Sequence, residues 1–216
     1  MRLTSALMSL LAIAGQSQTY PVPYPRDGVT PLIDNARAQV WDVSWPKTKT
    51  PPGIHRHLYD MTGLYYWPGD RRITQPDGTT RNITTEAGRI QWQLKGITHM
   101  EEGLSDDPLR AVMIELKGDG PSHHVVKTDG VPAFTASTMP LLDNERVTVW
   151  DYQAGSDAAS RPGRGLPPGT KHSHPMDTFV VWTEGRSGHA VFVAAGTVHD
   201  AEPISGAAKA TIFELK

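Results

Sequence analysis

The chain reads as short runs of β-branched and aromatic residues separated by Gly and Pro. Val147-Thr148-Val149-Trp150, Phe179-Val180-Val181-Trp182 and Ala190-Val191-Phe192-Val193 have the composition of strands. Gln75-Pro76-Asp77-Gly78 has turn chemistry. It separates Arg71-Arg72-Ile73-Thr74 from Thr79–Thr85, which predicts a hairpin. Beyond the N-terminal residues no long segment carries helical periodicity. The pattern predicts an all-β protein.

The pattern also repeats. Leu32-Ile33-Asp34-Asn35-Ala36-Arg37-Ala38-Gln39-Val40-Trp41-Asp42-Val43 lies over Leu141-Leu142-Asp143-Asn144-Glu145-Arg146-Val147-Thr148-Val149-Trp150-Asp151-Tyr152. Val112-Met113-Ile114-Glu115-Leu116-Lys117 likewise lies over Thr211-Ile212-Phe213-Glu214-Leu215-Lys216. The period is far longer than that of a solenoid, so it predicts a duplicated domain with a core in each copy. The expected organisation is a signal peptide at 1–14, an extended N-terminal arm at 15–31, a first domain at 32–117, a linker at 118–140 and a second domain at 141–216.

The candidate chemistry follows the same repeat. Six of the nine histidines fall on two matching patterns. His55 and His57 are two apart, with His99 following a second apolar run; His172, His174 and His199 take the same places. Residues i and i+2 on a strand share a face, so each pair of imidazoles can converge. Three imidazoles on one side of a β-structure suit a divalent transition metal: Fe, Mn, Ni, Cu, Co or Zn. Adjacent His123-His124 in the linker face opposite ways and are read as solvated.

Composition narrows the classes. The 216 residues carry a net charge of −2 and no basic stripe, which argues against a nucleic-acid partner. There is no cysteine, so disulfides, thiolate metal sites and thiol nucleophiles are excluded. Gly and Pro number 20 and 18, consistent with many tight turns. Arg2, the apolar run Ala6–Ala14 and the small residues Ala12-Ile13-Ala14 read as a secretory signal, too short to span a bilayer. The mature protein is expected to be secreted or periplasmic, with no membrane association. The Pro-rich segment Tyr20–Pro25 is expected to be extended, lying against a surface or staying mobile.

These histidines and glycines resemble the cupin superfamily, whose pattern has two parts. The first is His-x-His, three or four residues, Glu, six residues, Gly. The second is Gly, five residues, Pro-x-Gly, two residues, His. Gly88, Leu94-x-Gly96 and His99 keep the spacing of the second part, as do Gly188, Ala194-x-Gly196 and His199, with only the Pro changed. His55-x-His57 with Gly69, and His172-x-His174 with Gly185, match the first. The Glu position holds Thr62 in one copy and Thr178 in the other. The resemblance implies two tandem cupin barrels of the jelly-roll type, a bicupin, with metal held by His55, His57, His99, His172, His174 and His199.

Eighteen residues separate Gly69 from Gly88, but only Arg186 and Ser187 separate Gly185 from Gly188. The second barrel is therefore expected to lack a hairpin and to be covered by the first copy or by a second chain, as a homodimer. Thr62 and Thr178 are more simply strand residues than partners of a metal-bound water. Asp60 and Asp177 are expected in turns or orienting a histidine. Tyr59, Tyr66, Trp92 and Trp182 are expected mainly in barrel cores. Glu101, Glu102, Asp200 and Glu202 are expected in solvated loops at the mouths. The function implied is a metal-dependent enzyme acting on a small oxygen-rich molecule, of dioxygenase, lyase or isomerase type; a non-catalytic metal- or ligand-binding protein is the alternative.

Overall fold

The computed structural model describes residues 19–48, 51–118, 131–132, 139–153, 171–200 and 209–216. The signal segment 1–14, His123-His124, Glu202 and most of the linker lie outside them. No helix occurs among the described residues.

The first half supplies β1 (Val29–Asp34), β2 (Ala38–Trp45), β3 (His55–Arg56), β4 (Asp60–Trp67), β5 (Gly69–Thr74), β6 (Thr80–Thr85), β7 (Ile90–Gln93), β8 (Thr98–Gly103) and β9 (Leu109–Leu116). A two-residue β10 (Val131–Pro132) follows. The second half supplies β11 (Leu142–Asp143), β12 (Val147–Gln153), β13 (His172–Ser173), β14 (Thr178–Glu184), β15 (Ser187–Val193) and β16 (Lys209–Leu215). One five-stranded sheet has the order β1-β2-β9-β4-β7 and the other β11-β12-β16-β14-β15. The two orders correspond strand for strand, so the sequence repeat is a structural repeat. Val29, where β1 begins, precedes the expected start of the first domain. β10, in the expected linker, pairs in parallel with β13.

In the first half a four-stranded sheet, β3-β8-β5-β6, faces the five-stranded one and closes a barrel. The hairpin β5/β6 turns at Gly78, whose φ of 84° suits glycine. In the second half β14 runs straight into β15 through Gly185 and Arg186, and the counterpart of β5/β6 is absent. The missing hairpin is thus as the sequence predicts.

Strand alternation sorts the apolar residues onto two faces. On β2, Val43 and Trp45 point into the first barrel, where they pack with Met61, Tyr65, Leu109, Ala111 and Met113. Ala38 and Val40 point the other way, toward the second half. There Val112, Ile114 and Leu116 meet Val147, Val149, Phe179, Val181, Phe213 and Leu215 in one shared core. A third cluster, with Tyr152, Val180, Trp182 and Ile212, fills the second barrel. Each copy has its core, and the seam between copies is a core as well. Each buried aliphatic or Phe side chain there contributes about 1.5–3 kcal/mol.

The β14–β15 turn docks on the first half. Arg186 pairs with Asp107 at 2.6 Å and lies over the Trp67 ring at 4.7 Å. Its carbonyl accepts from Arg110 and from the Tyr66 hydroxyl. The N-terminal segment is less peripheral than its composition predicts. Tyr24 is 5% exposed, sits in the first barrel's core and packs on Trp41 at 5.4 Å. Bulk and aromatic surface decide its place where proline content predicts a surface strap.

Candidate metal centres

Both histidine trios are built the same way. His55 pairs with His99 across β3 and β8. His172 forms an antiparallel bridge with His199, their backbones exchanging hydrogen bonds of 2.8 and 2.9 Å. The middle histidine is held by a glycine turn. Gly96 N donates to His57 O at 2.7 Å, and Gly196 N donates to His174 O at 2.8 Å. These glycines have φ of 87° and 76°, which explains their fixed place three residues before the last histidine.

This is the cupin fold, present twice.

In each barrel, one ligand atom from each of the three imidazoles falls within 4.8 Å of the others, so both trios could hold a metal ion. In the first barrel the rings stand nearly perpendicular to one another, at interplanar angles of 70°, 83° and 90°, with centroids 5.0 to 5.1 Å apart. His57 Nε2 lies 3.1 Å from His99 Nε2. His55 Nε2 and His57 Nδ1 are buried with no hydrogen-bond partner. An orphaned imidazole nitrogen is costly in a barrel interior, and for His55 Nε2, on the side of the ring that shares the trio, a metal ion is the partner that suits it. In the second barrel the centroids are 4.1, 5.5 and 5.5 Å apart. His172 and His174 are fully buried.

Electrostatics prepare the first trio for a cation. Burial pushes His55 down to about 4 and His57 to about 3, with His99 adding to the effect on both and Glu101 opposing it. Burial lowers His99 as well. All three are neutral imidazoles at physiological pH, the state in which they ligate metals.

Glu101 lies in the barrel interior and not in the solvated loop that the sequence predicts for it. It follows His99 by two residues on β8 and so faces the same interior. It is 9% exposed, accepts from Trp45 Nε1 at 3.0 Å and pairs with Arg71 at 2.6 Å. Burial would raise its pKa, but Arg71 and the histidines hold it at about 2. Glu102 is half-buried near Arg72, and Asp200 is exposed, 3.8 Å from Lys171.

The threonines divide. Thr178 pairs with Glu214, and its counterpart by register is Met61, which pairs with Glu115. Thr62 pairs with Ile114 on the seam face and donates to Gln91 O at 2.9 Å. The residue after three intervening positions, Met61, therefore faces the first barrel's interior, and Thr62 does not. Thr178 opens β14 and donates to Met176 O at 2.8 Å. In the second barrel His174 Nδ1 lies 3.3 Å from Glu214. Glu214 also accepts from Trp150 Nε1, as Glu115 accepts from Trp41 Nε1.

Asp60 and Asp177 neither ligate nor orient a histidine directly; they bind arginines of the opposite copy. Trp182 lies in the second barrel's core and Trp92 packs against the seam. Tyr66 donates to Asp42 at 2.6 Å, and Tyr59 is half-buried.

No family model matches the chain, and no curated protein matches it in sequence. Solved structures similar to it include a cupin domain from Bordetella pertussis, 24% identical over 47% of this chain and all of that one, at a TM-score of 0.39. An RmlC-like cupin from Methanocaldococcus jannaschii is 15% identical over 46% of this chain and 90% of its own, at 0.34. Streptomyces albus HEPD, with 2-hydroxyethylphosphonate and Fe(II) bound, is 16% identical over 46% of this chain and 24% of its own, at 0.33.

Proposed function

We propose that the protein is an exported, metal-dependent cupin enzyme whose chemistry runs in the first barrel on a small oxygen-rich molecule. The observation that carries this reading is one juxtaposition. A buried trio of neutral imidazoles shares an interior with the ionised Glu101, and Glu101 also lines a neighbouring cavity of about 340 Å³ with Arg26, Asp27, Thr48 and Trp45, a lining that includes none of the three histidines. That volume suits a dicarbonyl, hydroxy acid or sugar acid. His55, His57 and His99 would hold the ion, which supplies Lewis acidity or, if redox-active, electron transfer.

Glu101 sets the kind of chemistry. A carboxyl held at about 2 is a weak base, so it places negative charge beside the histidines and does not shuttle protons near neutral pH. Arg71 fixes it, and Arg26 at the cavity offers a cation for a substrate carboxylate. Reactions that draw on the metal, such as oxygenation, fit this better than isomerisations needing a protein base. The second barrel lacks the hairpin wall, and its trio is read as a binding site without turnover.

The test is oxygen uptake by iron-loaded protein given dicarbonyl or hydroxy-acid substrates. Uptake that disappears in His55→Ala/His57→Ala, but persists in His172→Ala/His174→Ala, is expected. A flat trace, or activity that follows the second trio, would overturn the assignment.

A further inference from the structure

The duplicated motif Asp-Asn-x-Arg has a use that the metal sites alone do not explain. Asn35 Oδ1 accepts from the backbone N–H of Arg37 and Ala38, and Asn144 Oδ1 from those of Arg146 and Val147. These identical turns launch Arg37 and Arg146 across the seam. Arg146 Nη1 donates to Asp60 Oδ2 at 2.7 Å, and Arg37 Nε pairs with Asp177 Oδ2 at 2.9 Å. The pairing is reciprocal, as at a two-fold interface, with each copy giving its arginine to the other's aspartate.

Each aspartate has a second bond. Asp60 Oδ1 accepts from Lys95 N at 2.9 Å, and Asp177 Oδ1 accepts from Ala195 N at 3.0 Å. Lys95 and Ala195 stand just before Gly96 and Gly196, in the turns that grip His57 O and His174 O and lead into His99 and His199. The line of contact therefore runs Arg146, Asp60, Lys95, Gly96, His57 in one direction and Arg37, Asp177, Ala195, Gly196, His174 in the other.

We propose that the two histidine centres are cross-positioned: Arg146 of the second half sets the histidine turn of the first, and Arg37 of the first half sets that of the second. Arg146 and Asp60 are only 11% and 10% exposed at their side chains, so water replaces the arginine poorly when it is removed. A carboxylate stripped of its cation still accepts from Lys95 N, but is free to swing, and the turn loses its anchor. The seam is then part of each site. Neither half holds its trio in place alone, which accounts for the arginine and aspartate recurring with the histidines in both copies.

The metal readout rests on the function proposed above; the exchange readout does not. In chains retaining one trio (His172→Ala/His174→Ala, or His55→Ala/His57→Ala), Co²⁺ affinity is titrated by its visible absorption. Arg146→Met is expected to weaken the first trio about tenfold or more, in the range for groups that orient metal ligands. It should leave the second within twofold, and Arg146→Lys should restore part of the loss. Arg37→Met should do the reverse. In metal-free full-length protein, amide exchange should quicken at Lys95 in Arg146→Met and at Ala195 in Arg37→Met. Equal changes in both halves, or changes confined to the arginine's own half, would overturn the proposal. Crossed exchange in a protein that binds no Co²⁺ would uphold the coupling and sink the metal reading alone.

Discussion

His57 Nε2 and His99 Nε2 face each other at 3.1 Å in a barrel interior where neither residue is more than 6% exposed. At that separation either one ring donates to the other or both direct lone pairs at a shared cation. Third in the group, His55 offers a buried Nε2 with no other partner. The arrangement favours the second possibility and has consequences that can be measured.

The metal-free protein should lose stability early on acidification. Unfolded imidazoles take up protons near 6.5, whereas His55 and His57 in the fold resist until about 4 and about 3. Between those values the unfolded chain binds more protons, so stability falls as pH falls. The contribution is complete above pH 6.5 and drains away toward pH 4 and below. Glu101 extends the trend between 4.5 and about 2. Thermal melts of metal-free protein should decline steadily from pH 6.5 to 4, and His55→Gln/His57→Gln should flatten that slope. A wild-type melting temperature constant over this range would contradict the burial of neutral histidines.

Arg71 should matter more through Glu101 than by its own packing. It lies over the Tyr65 and Trp45 rings at 5.0 and 5.4 Å, with its charge committed to the carboxylate. Arg71→Met leaves that carboxylate buried without a counter-charge, at a cost of about 3–5 kcal/mol in denaturant unfolding. Arg71→Met/Glu101→Leu should recover much of the loss. A double variant as unstable as the single would refute this account of the pair.

Gly188 should tolerate no side chain. A Cβ there would sit 2.4 Å from Val112 Cγ2 and 3.1 Å from Asp42 Oδ1, across the seam. Gly188→Ala should destabilise by about 1–3 kcal/mol, as overpacking does. A variant with an unchanged urea midpoint would mean that the halves are not packed this closely.

What the sequence made legible is what depends on local spacing. The two trios, the glycine turns that hold them and the missing second hairpin all follow from short intervals along the chain. Glu101 was readable on the same terms, since it lies two residues beyond His99 on one strand, but charge and position near a turn pointed to solvent. At the Glu position of the cupin pattern, spacings of three and four residues both fit the sequence, and only the pairing of Met61 with Glu115 selects Met61 over Thr62. Asp60 and Asp177 were out of reach for a different reason. Their arginine partners come from the other copy, and no local period encodes which carboxylate meets which distant cation. Tyr24 likewise gives no sign, within a Pro-rich run, that it enters the first barrel.

Both trios are read as metal centres. Elemental analysis of purified full-length protein and its variants tests this most directly. The account predicts that His55→Ala/His57→Ala and His172→Ala/His174→Ala each lower the transition-metal content by one ion per chain. Metal content unchanged in both variants, or absent from the wild type after incubation with the candidate ions, would contradict it.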